Sequence, residues 1–256
     1  MNPSHSLELE GATVRFGGVV AVSNVSMSVG VGEVVGLIGP NGAGKTTLLN
    51  SISRLVPLSG GTVRVFGENI TRMAPYTLPR HGVARTFQVV QPFANLTLRE
   101  NVAIAAMFSS RSLPKREAME RADAVLARTR LTQKAQMLPA EVTLADRKRL
   151  EVSRALAMTP KLLLLDEVMA GLNYTEIDAM IHLIRELQRE GTSIVVVEHV
   201  MKAIIAVCDR IVVLQSGKKI ADGSPTGVLS DPTVVAAYLG QRYVDRQNAA
   251  AAGVTS

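Results

Sequence analysis

The segment GPNGAGKTT, residues 39–47, constrains this chain more than any other stretch of comparable length. It follows the compact apolar run EVVGLIG (33–39) and precedes KTTLLNSISRL, whose apolar residues at 48, 49, 52 and 55 fall at helical spacing. A buried strand, a Gly-rich loop and a helix in that order give GxxxxGK followed by Thr its meaning as a phosphate loop rather than a chance turn. In the stretch Gly39, Pro40, Asn41, Gly42, Ala43 and Gly44, the three glycines let the backbone curl so that successive N–H groups face phosphate oxygens. The positive end of the following helix lies behind them. Lys45 is expected to reach the β and γ phosphates, Thr46 to ligate Mg2+, and Thr47 to hydrogen-bond a phosphate nearer the ribose.

A phosphate loop alone does not separate kinases, GTPases and ATPases. The second half of the chain supplies KLLLLDE (161–167), an apolar strand that delivers two carboxylates at its C-terminal end. Asp166 is placed to hold Mg2+ through water, and Glu167 to orient or deprotonate a water attacking the γ phosphate. The alternative is a salt-bridged strand end. No NKxD guanine-reading motif occurs, which favours ATP over GTP.

Composition narrows the class further. With 256 residues, 47% of them apolar and 20% charged, the chain can bury a substantial core and suits one domain with an insertion. No apolar run approaches the ~18 residues that span a bilayer, and the start, MNPSHSLELE, lacks the basic then apolar blocks of a signal peptide. The chain is therefore expected neither to cross a membrane nor to be secreted. A single cysteine, Cys208, excludes an internal disulfide and a four-Cys zinc site and fits a reducing cytoplasm. The formal charge of +6 admits nucleic acid, anionic lipid or nucleotide phosphates as partners. The basic residues are scattered, however, and the densest cluster, Arg147 to Arg149, is flanked by Asp146 and Glu151. Aromatic residues make up 4% with no Trp, too few for base-stacking platforms, so nucleic acid is not the expected partner.

Leu7, Leu9 and Val14 followed by VSNVSMSV suggest short, half-exposed strands, and the first six and last dozen residues read as flexible termini. From about 98 to 158 the chain is mostly helical, with Ala118, Ala122, Val125 and Leu126 on one face. Apolar strand runs return at 161–165, 193–197 and 211–214, separated by helices such as EIDAMIHLIRELQRE, where Ile177, Met180, Ile181, Ile184 and Leu187 are in phase. Strands alternating with helices imply an α/β fold with a largely parallel sheet covered on both faces. The stretch from Val89 to Leu98 carries apolar Val89, Val90, Phe93 and Leu96 and is expected to be exposed.

These features together resemble the nucleotide-binding subunit of ATP-binding cassette (ABC) transporters, over nearly the whole chain. The resemblance implies a P-loop NTPase (RecA-like) core with an antiparallel β subdomain and a helical insertion. Residues 7–90 and 159–240 would form the ATP-binding core with its β subdomain, 91–158 the helical subdomain and 241–256 a flexible tail. Phe16 in VRFGG sits where that family stacks an aromatic on adenine, although a core Phe reads the same way. Gln88 in RTFQ matches the family glutamine that touches Mg2+ and the attacking water, or is plain loop. His199 in VVVEH matches the histidine that contacts the γ phosphate, or is structural. ARTFQVVQPFANLTLREN, EHVMKAIIAVCDRIVVLQSGKKIADGSP and DPTVVAAYLG look like the ATP-binding proteins of branched-chain amino acid uptake systems (LivG-like).

The implied protein sits peripherally on the cytoplasmic face of the inner membrane. It would pair with an identical or paralogous ATPase, dock through Val89 to Leu98 on integral permease subunits, unless that stretch only packs the core against the helical insertion, and serve a periplasmic or extracellular solute-binding protein indirectly. The alternatives are a soluble P-loop ATPase acting on an assembly or nucleic acid without a membrane partner, and a binding module that has lost hydrolysis. Two departures from the family pattern stand out. The signature segment is Val142, Thr143, Leu144, Ala145 and Asp146 where LSGGQ is usual, and Asn173 occupies a usual Asp position. Thr143 keeps a hydroxyl for the opposing phosphate. The Cβ atoms of Leu144 and Ala145, any left-handed conformation needed there and the carboxylate of Asp146 are expected to weaken closure, which would favour a partner with a standard signature; the alternatives are that Arg147 and Lys148 offset the charge or that a helical Asp146 points away.

Overall fold

The computed structural model describes residues 5–89, 91–109 and 113–239. The predicted tail 241–256 and Val90 lie outside the described residues. β1 (His5–Phe16) and β2 (Val19–Gly30) pair antiparallel, and each is twelve residues long rather than short. Leu7 and Leu9 alternate inward, Gly11 at φ +60° inserts an extra residue, and Ala12 and Val14 then point inward again. Asn24, at φ +52°, does the same for β2 between Val22 and Val25. The sequence reading of residues 1–6 as flexible is corrected at its last two positions. His5 and Ser6 begin β1, and the buried Ser6 hydroxyl donates to the carbonyl of Val29 at 3.1 Å.

β3 (Val34–Ile38) leads into α1 (Lys45–Ile52), which is followed by β4 (Gly60–Val65) and the two-residue β5 (Glu68–Asn69). The antiparallel sheet is ordered β2-β1-β4-β5. α1 ends one turn earlier than its apolar spacing implied. Ser53 caps it, its hydroxyl donating to the carbonyl of Leu49, Arg54 turns to φ +61°, and Leu55 is left exposed.

After a 3-10 segment, Pro75–His81, come β6 (Val83–Arg85) and three helices, α2 (Leu98–Met107), α3 (Lys115–Arg128) and α4 (Leu144–Ala157). The remainder is β7 (Leu162–Asp166), α5 (Tyr174–Arg189), β8 (Ser193–Val197), α6 (Met201–Val207), β9 (Arg210–Gln215), β10 (Lys218–Gly223), α7 (Pro225–Ser230) and α8 (Pro232–Leu239). These strands form a six-stranded sheet, β10-β9-β3-β8-β7-β6, parallel except for the edge strand β10.

β3, β7 and β8 are buried at every position because both faces of the sheet are covered. Alternate residues serve opposite cores. Val34, Ile38, Leu163, Leu165, Ile194 and Val196 join the helical side with Leu98, Val102, Ile177 and Ile184. Val35, Leu37, Leu162, Leu164, Val195 and Val197 join α1 and the antiparallel sheet. Parallel strands place all their C-terminal ends along one edge, so the loops after β3, β7 and β8 converge there. Among the described residues no helix is long and apolar enough to cross a membrane.

Candidate functional site

The loop after β3 requires glycine at its two ends. A Cβ on Gly39, at φ +150°, would lie 2.1 Å from the carbonyl oxygen of Leu214, and one on Gly44, at φ +98°, 2.6 Å from that of Ala21. Gly44 is the N-cap of α1 and supplies no side-chain cap, so the first-turn amides are the orphan donors of a helix start. They are suited to an anion. Lys45 folds back over the loop, its Nζ donating to the carbonyls of Gly39 at 2.8 Å and Pro40 at 3.0 Å, and burial lowers its pKa. These elements open on a cavity of about 320 Å³, lined by Ala21, Asn41–Thr47, Gln88, Glu167 and His199. That volume accommodates a ligand of nucleotide-phosphate size.

Three residues singled out separately in the sequence meet on one carboxylate. Glu167 Oε2 accepts from Gln88 Nε2 at 2.7 Å, and Glu167 Oε1 pairs with His199 Nε2 at 2.9 Å. The backbone of Glu167 sits at φ +52°, its N–H donating to Val197 at 2.9 Å and its carbonyl accepting from Lys148 Nζ at 2.6 Å. Asp166, almost fully buried, accepts from Arg85 Nη2 at 2.8 Å through Oδ2, while Oδ1 has no partner. Burial raises the Asp166 pKa, with Arg85 working against that rise. Arg85 is itself fixed, donating to Asn50 Oδ1 at 2.6 Å and Ser53 Oγ at 2.7 Å. An orphaned carboxylate oxygen next to a phosphate loop fits a hard cation that keeps most of its coordination for water and phosphate.

Phe16 and Thr143 stand apart from this cavity. Phe16 ends β1 with its ring half exposed, which corrects the alternative of a core Phe. Thr143 is the N-cap of α4, accepting from the amide of Asp146 at 3.2 Å. For the signature segment the structure corrects one expectation and meets the stated alternative to another. Residues 142–146 adopt no positive φ, so no left-handed strain arises from Leu144 or Ala145. The Asp146 carboxylate is buried and turned inward, with Oδ2 accepting from Thr143 Oγ1 at 2.7 Å and Lys134 Nζ at 2.5 Å. Its charge is spent inside the fold.

A second cleft of about 400 Å³ shares Thr46 and Gln88 with the first and extends past Arg85, Phe87, Val89, Gln91, Glu151 and Arg154. Of the apolar stretch that follows Gln88, Val89 and Phe93 are exposed, Leu96 is half-buried and Leu98 is fully buried as the first residue of α2. Sequence reasoning passed over Arg85 and Glu198, and read Lys148 only as part of the basic cluster beside Asp146. A charged residue closing or following an otherwise apolar strand was the available signal for Arg85 and Glu198.

A glycine-rich loop between buried strand and helix, opposed by an Asp–Glu pair at the end of another parallel strand, defines a P-loop nucleoside triphosphatase. Residues 22–170 match the ABC transporter family model, and residues 218–244 that of the branched-chain amino acid ATP-binding cassette transporter. The chain belongs to the ABC transporter family, as an ATP-binding cassette. It is 37% identical to the high-affinity branched-chain amino acid transport ATP-binding protein BraF of Pseudomonas aeruginosa, over 92% of this chain and 98% of that one. It is 36% identical to LivG of Escherichia coli over the same shares. The ADP conformation of MJ1267, an ATP-binding cassette of an ABC transporter, superposes with a TM-score of 0.84 at 30% identity, covering 93% of this chain and 99% of that one.

Proposed function

We propose that the chain is the ATP-hydrolysing subunit that energises an importer of branched-chain amino acids or chemically related small solutes. The observation that carries the choice of substrate class is the match of residues 218–244 to the branched-chain amino acid cassette model. In this reading the loop from Gly39 to Thr47 cradles the phosphates, Lys45 leaves its two loop carbonyls for the β and γ phosphates, and Phe16 offers its ring to the adenine. Glu167 accepts the proton of the attacking water, oriented on one side by Gln88 and on the other by His199. The Thr46 hydroxyl, the Gln88 amide oxygen and the unpartnered Oδ1 of Asp166 would hold Mg2+. When bound, that ion offsets charge on the β and γ oxygens.

Residues 7–90 and 159–240 act as the core and 91–158 as the helical subdomain. Thr143, exposed at the start of α4, faces the nucleotide of a second, identical or paralogous cassette. The permease subunits dock at the cleft beside Gln88, which places the protein peripherally on the cytoplasmic face of the membrane. The exposed Phe87, Val89 and Phe93 support a macromolecular partner there rather than a soluble ATPase working alone. The test is reconstitution of the chain in vesicles with candidate permease subunits. Leucine uptake that requires ATP and is lost in Lys45→Ala is the expected result, and ATP turnover without uptake of any branched-chain amino acid would overturn the substrate assignment.

A further inference from the structure

Glu167 occupies a left-handed backbone conformation, φ +52°, that is unfavourable for a residue with a Cβ relative to glycine. Such a conformation persists only where the surroundings over-determine it. Three contacts do so. The N–H of Glu167 donates to the Val197 carbonyl, its own carbonyl accepts from Lys148 Nζ at 2.6 Å, and two residues on the Met169 N–H donates to Glu198 Oε1 at 2.7 Å. Lys148 and Glu198 are both buried, neither lines the phosphate cavity, and their hydrogen bonds go to backbone atoms of the loop that carries Glu167. Burying an ammonium and a carboxylate is unfavourable against apolar residues of similar volume, and Glu198 Oε2 has no partner to offset it. The strand before Glu198, SIVVV, is buried at every position and apolar from Ile194 to Val197, so packing alone gives no reason for a charge at its end.

We propose that Lys148 and Glu198 are positioning residues for hydrolysis: Lys148 from α4 and Glu198 from the turn after β8 clamp the backbone of residues 167–169 and so aim the Glu167 carboxylate at the γ-phosphate site. The inference rests on the reading of Glu167 as the group that activates water. It also joins that group to the neighbouring cleft, because α4 lines the cleft with Glu151 and Arg154, one and two turns beyond Lys148.

The experiment measures kcat, KM and ATP affinity for the full chain assembled with its partner subunits. Glu167→Gln comes first, as the control for the underlying reading. If it turns over like the parent, the role of Glu167 and this inference both fall; if turnover is lost with ATP binding retained, the clamp is tested alone. Lys148→Met is expected to lower kcat about tenfold with KM and ATP affinity within about twofold, since the loop is displaced and the phosphate cavity is not. Lys148→Arg restores most of the rate because a guanidinium donates to the same carbonyl. Glu198→Leu behaves like Lys148→Met, and Glu198→Gln does not, because an amide oxygen still accepts from Met169. The double variant Lys148→Met with Glu198→Leu loses little more than the worse single change, as both act through one loop.

Unchanged kcat in Lys148→Met and Glu198→Leu overturns the proposal. So does a loss matched by weaker ATP binding and not restored by Arg or Gln. Should Lys148→Met fail to fold, the Glu198 pair decides, and equal kcat for the Leu and Gln variants overturns the proposal.

Discussion

Glu167 makes contacts at both ends: its carboxylate binds Gln88 and His199 while its backbone is held by Val197 and Lys148. Replacing it with Gln keeps the shape and an oxygen for His199, and the Gln88 amide can turn to meet the new NH2. Only the capacity to take a proton from water goes. Turnover is expected to fall by ~10² to 10⁴ while ATP affinity is kept, whereas Lys45→Ala weakens nucleotide binding itself. Steady-state hydrolysis set against nucleotide titration separates the two. Glu198 makes a second prediction at this scale. Burial pushes its pKa up from 4.5 to about 7, with the Met169 and His199 amides and the Lys148 ammonium working against that and Glu167 adding to it. The folded chain therefore keeps a proton on Glu198 over a range where the unfolded chain has lost it. The sign follows: this group's contribution to stability is full below about pH 4.5 and declines as pH rises to about 7, by on the order of 3 kcal/mol in all. Glu198→Gln removes the decline. Chemical unfolding of both proteins at pH 5 and pH 8 should show the variant gaining on the parent at the higher pH, and a constant difference would show that Glu198 ionises normally in the fold.

Among the elements, α4 shows how a segment can depart from a family pattern and still be locally consistent. Thr143 caps the helix, Asp146 at the third helical position returns a hydrogen bond to the Thr143 amide, and Lys134 closes the carboxylate from outside. Leu144 and Ala145 lie inside the first turn, where glycine is a poorer helix former by ~0.8 to 1 kcal/mol each. Leu144→Gly combined with Ala145→Gly is therefore expected to lower stability by about 1–2 kcal/mol, with no gain in ATP turnover. Thermal unfolding and hydrolysis assays check both parts, and faster turnover would show that the two Cβ atoms hinder the approach of the opposing nucleotide. β3, β7, β8 and the faces of α3 and α5 were legible because each carries an unbroken apolar run or a 3.6-residue spacing. β1 and β2 looked short because bulges at Gly11 and Asn24 break the period of two that identifies a strand. Gln88, Glu167 and His199 could be picked out by motif. Lys148 could not, and the partner of Arg85 could not, since what these two hold is a carbonyl 19 residues away and a carboxylate 81 residues away, and only the fold brings those together.

At the scale of the whole molecule, the cleft beside Gln88 is where catalysis can be tied to a partner. Phe93 stands exposed at its margin with the Arg154 guanidinium 5.5 Å from its ring centre, and Arg154 also donates to Gln91 and to Glu151. The loop that presents Phe93 does not depend on its side chain. The buried Asn101 accepts from the Phe93 N–H at 2.8 Å and donates to the carbonyls of Phe93 at 3.1 Å and Leu96 at 3.0 Å. A substitution at Phe93 should thus remove apolar surface without unravelling the turn. A half-exposed Phe under an Arg guanidinium is the composition of an interface anchor, and fully burying a Phe ring contributes ~1.5 to 3 kcal/mol. Under the proposed function a short cytoplasmic helix of a permease subunit would cover it, and Gln88, whose amide donates to the Glu167 carboxylate, would carry that contact to the site. Phe93→Ser is expected to weaken association with the permease by roughly ten- to a hundredfold, leaving ATP binding by the isolated chain unchanged. Co-purification from membranes and nucleotide titration report the two quantities independently. If the variant stays membrane-bound with ATP turnover still responsive to the permease, the docking site lies elsewhere on the molecule, and Phe93 serves only the packing of the loop against α4.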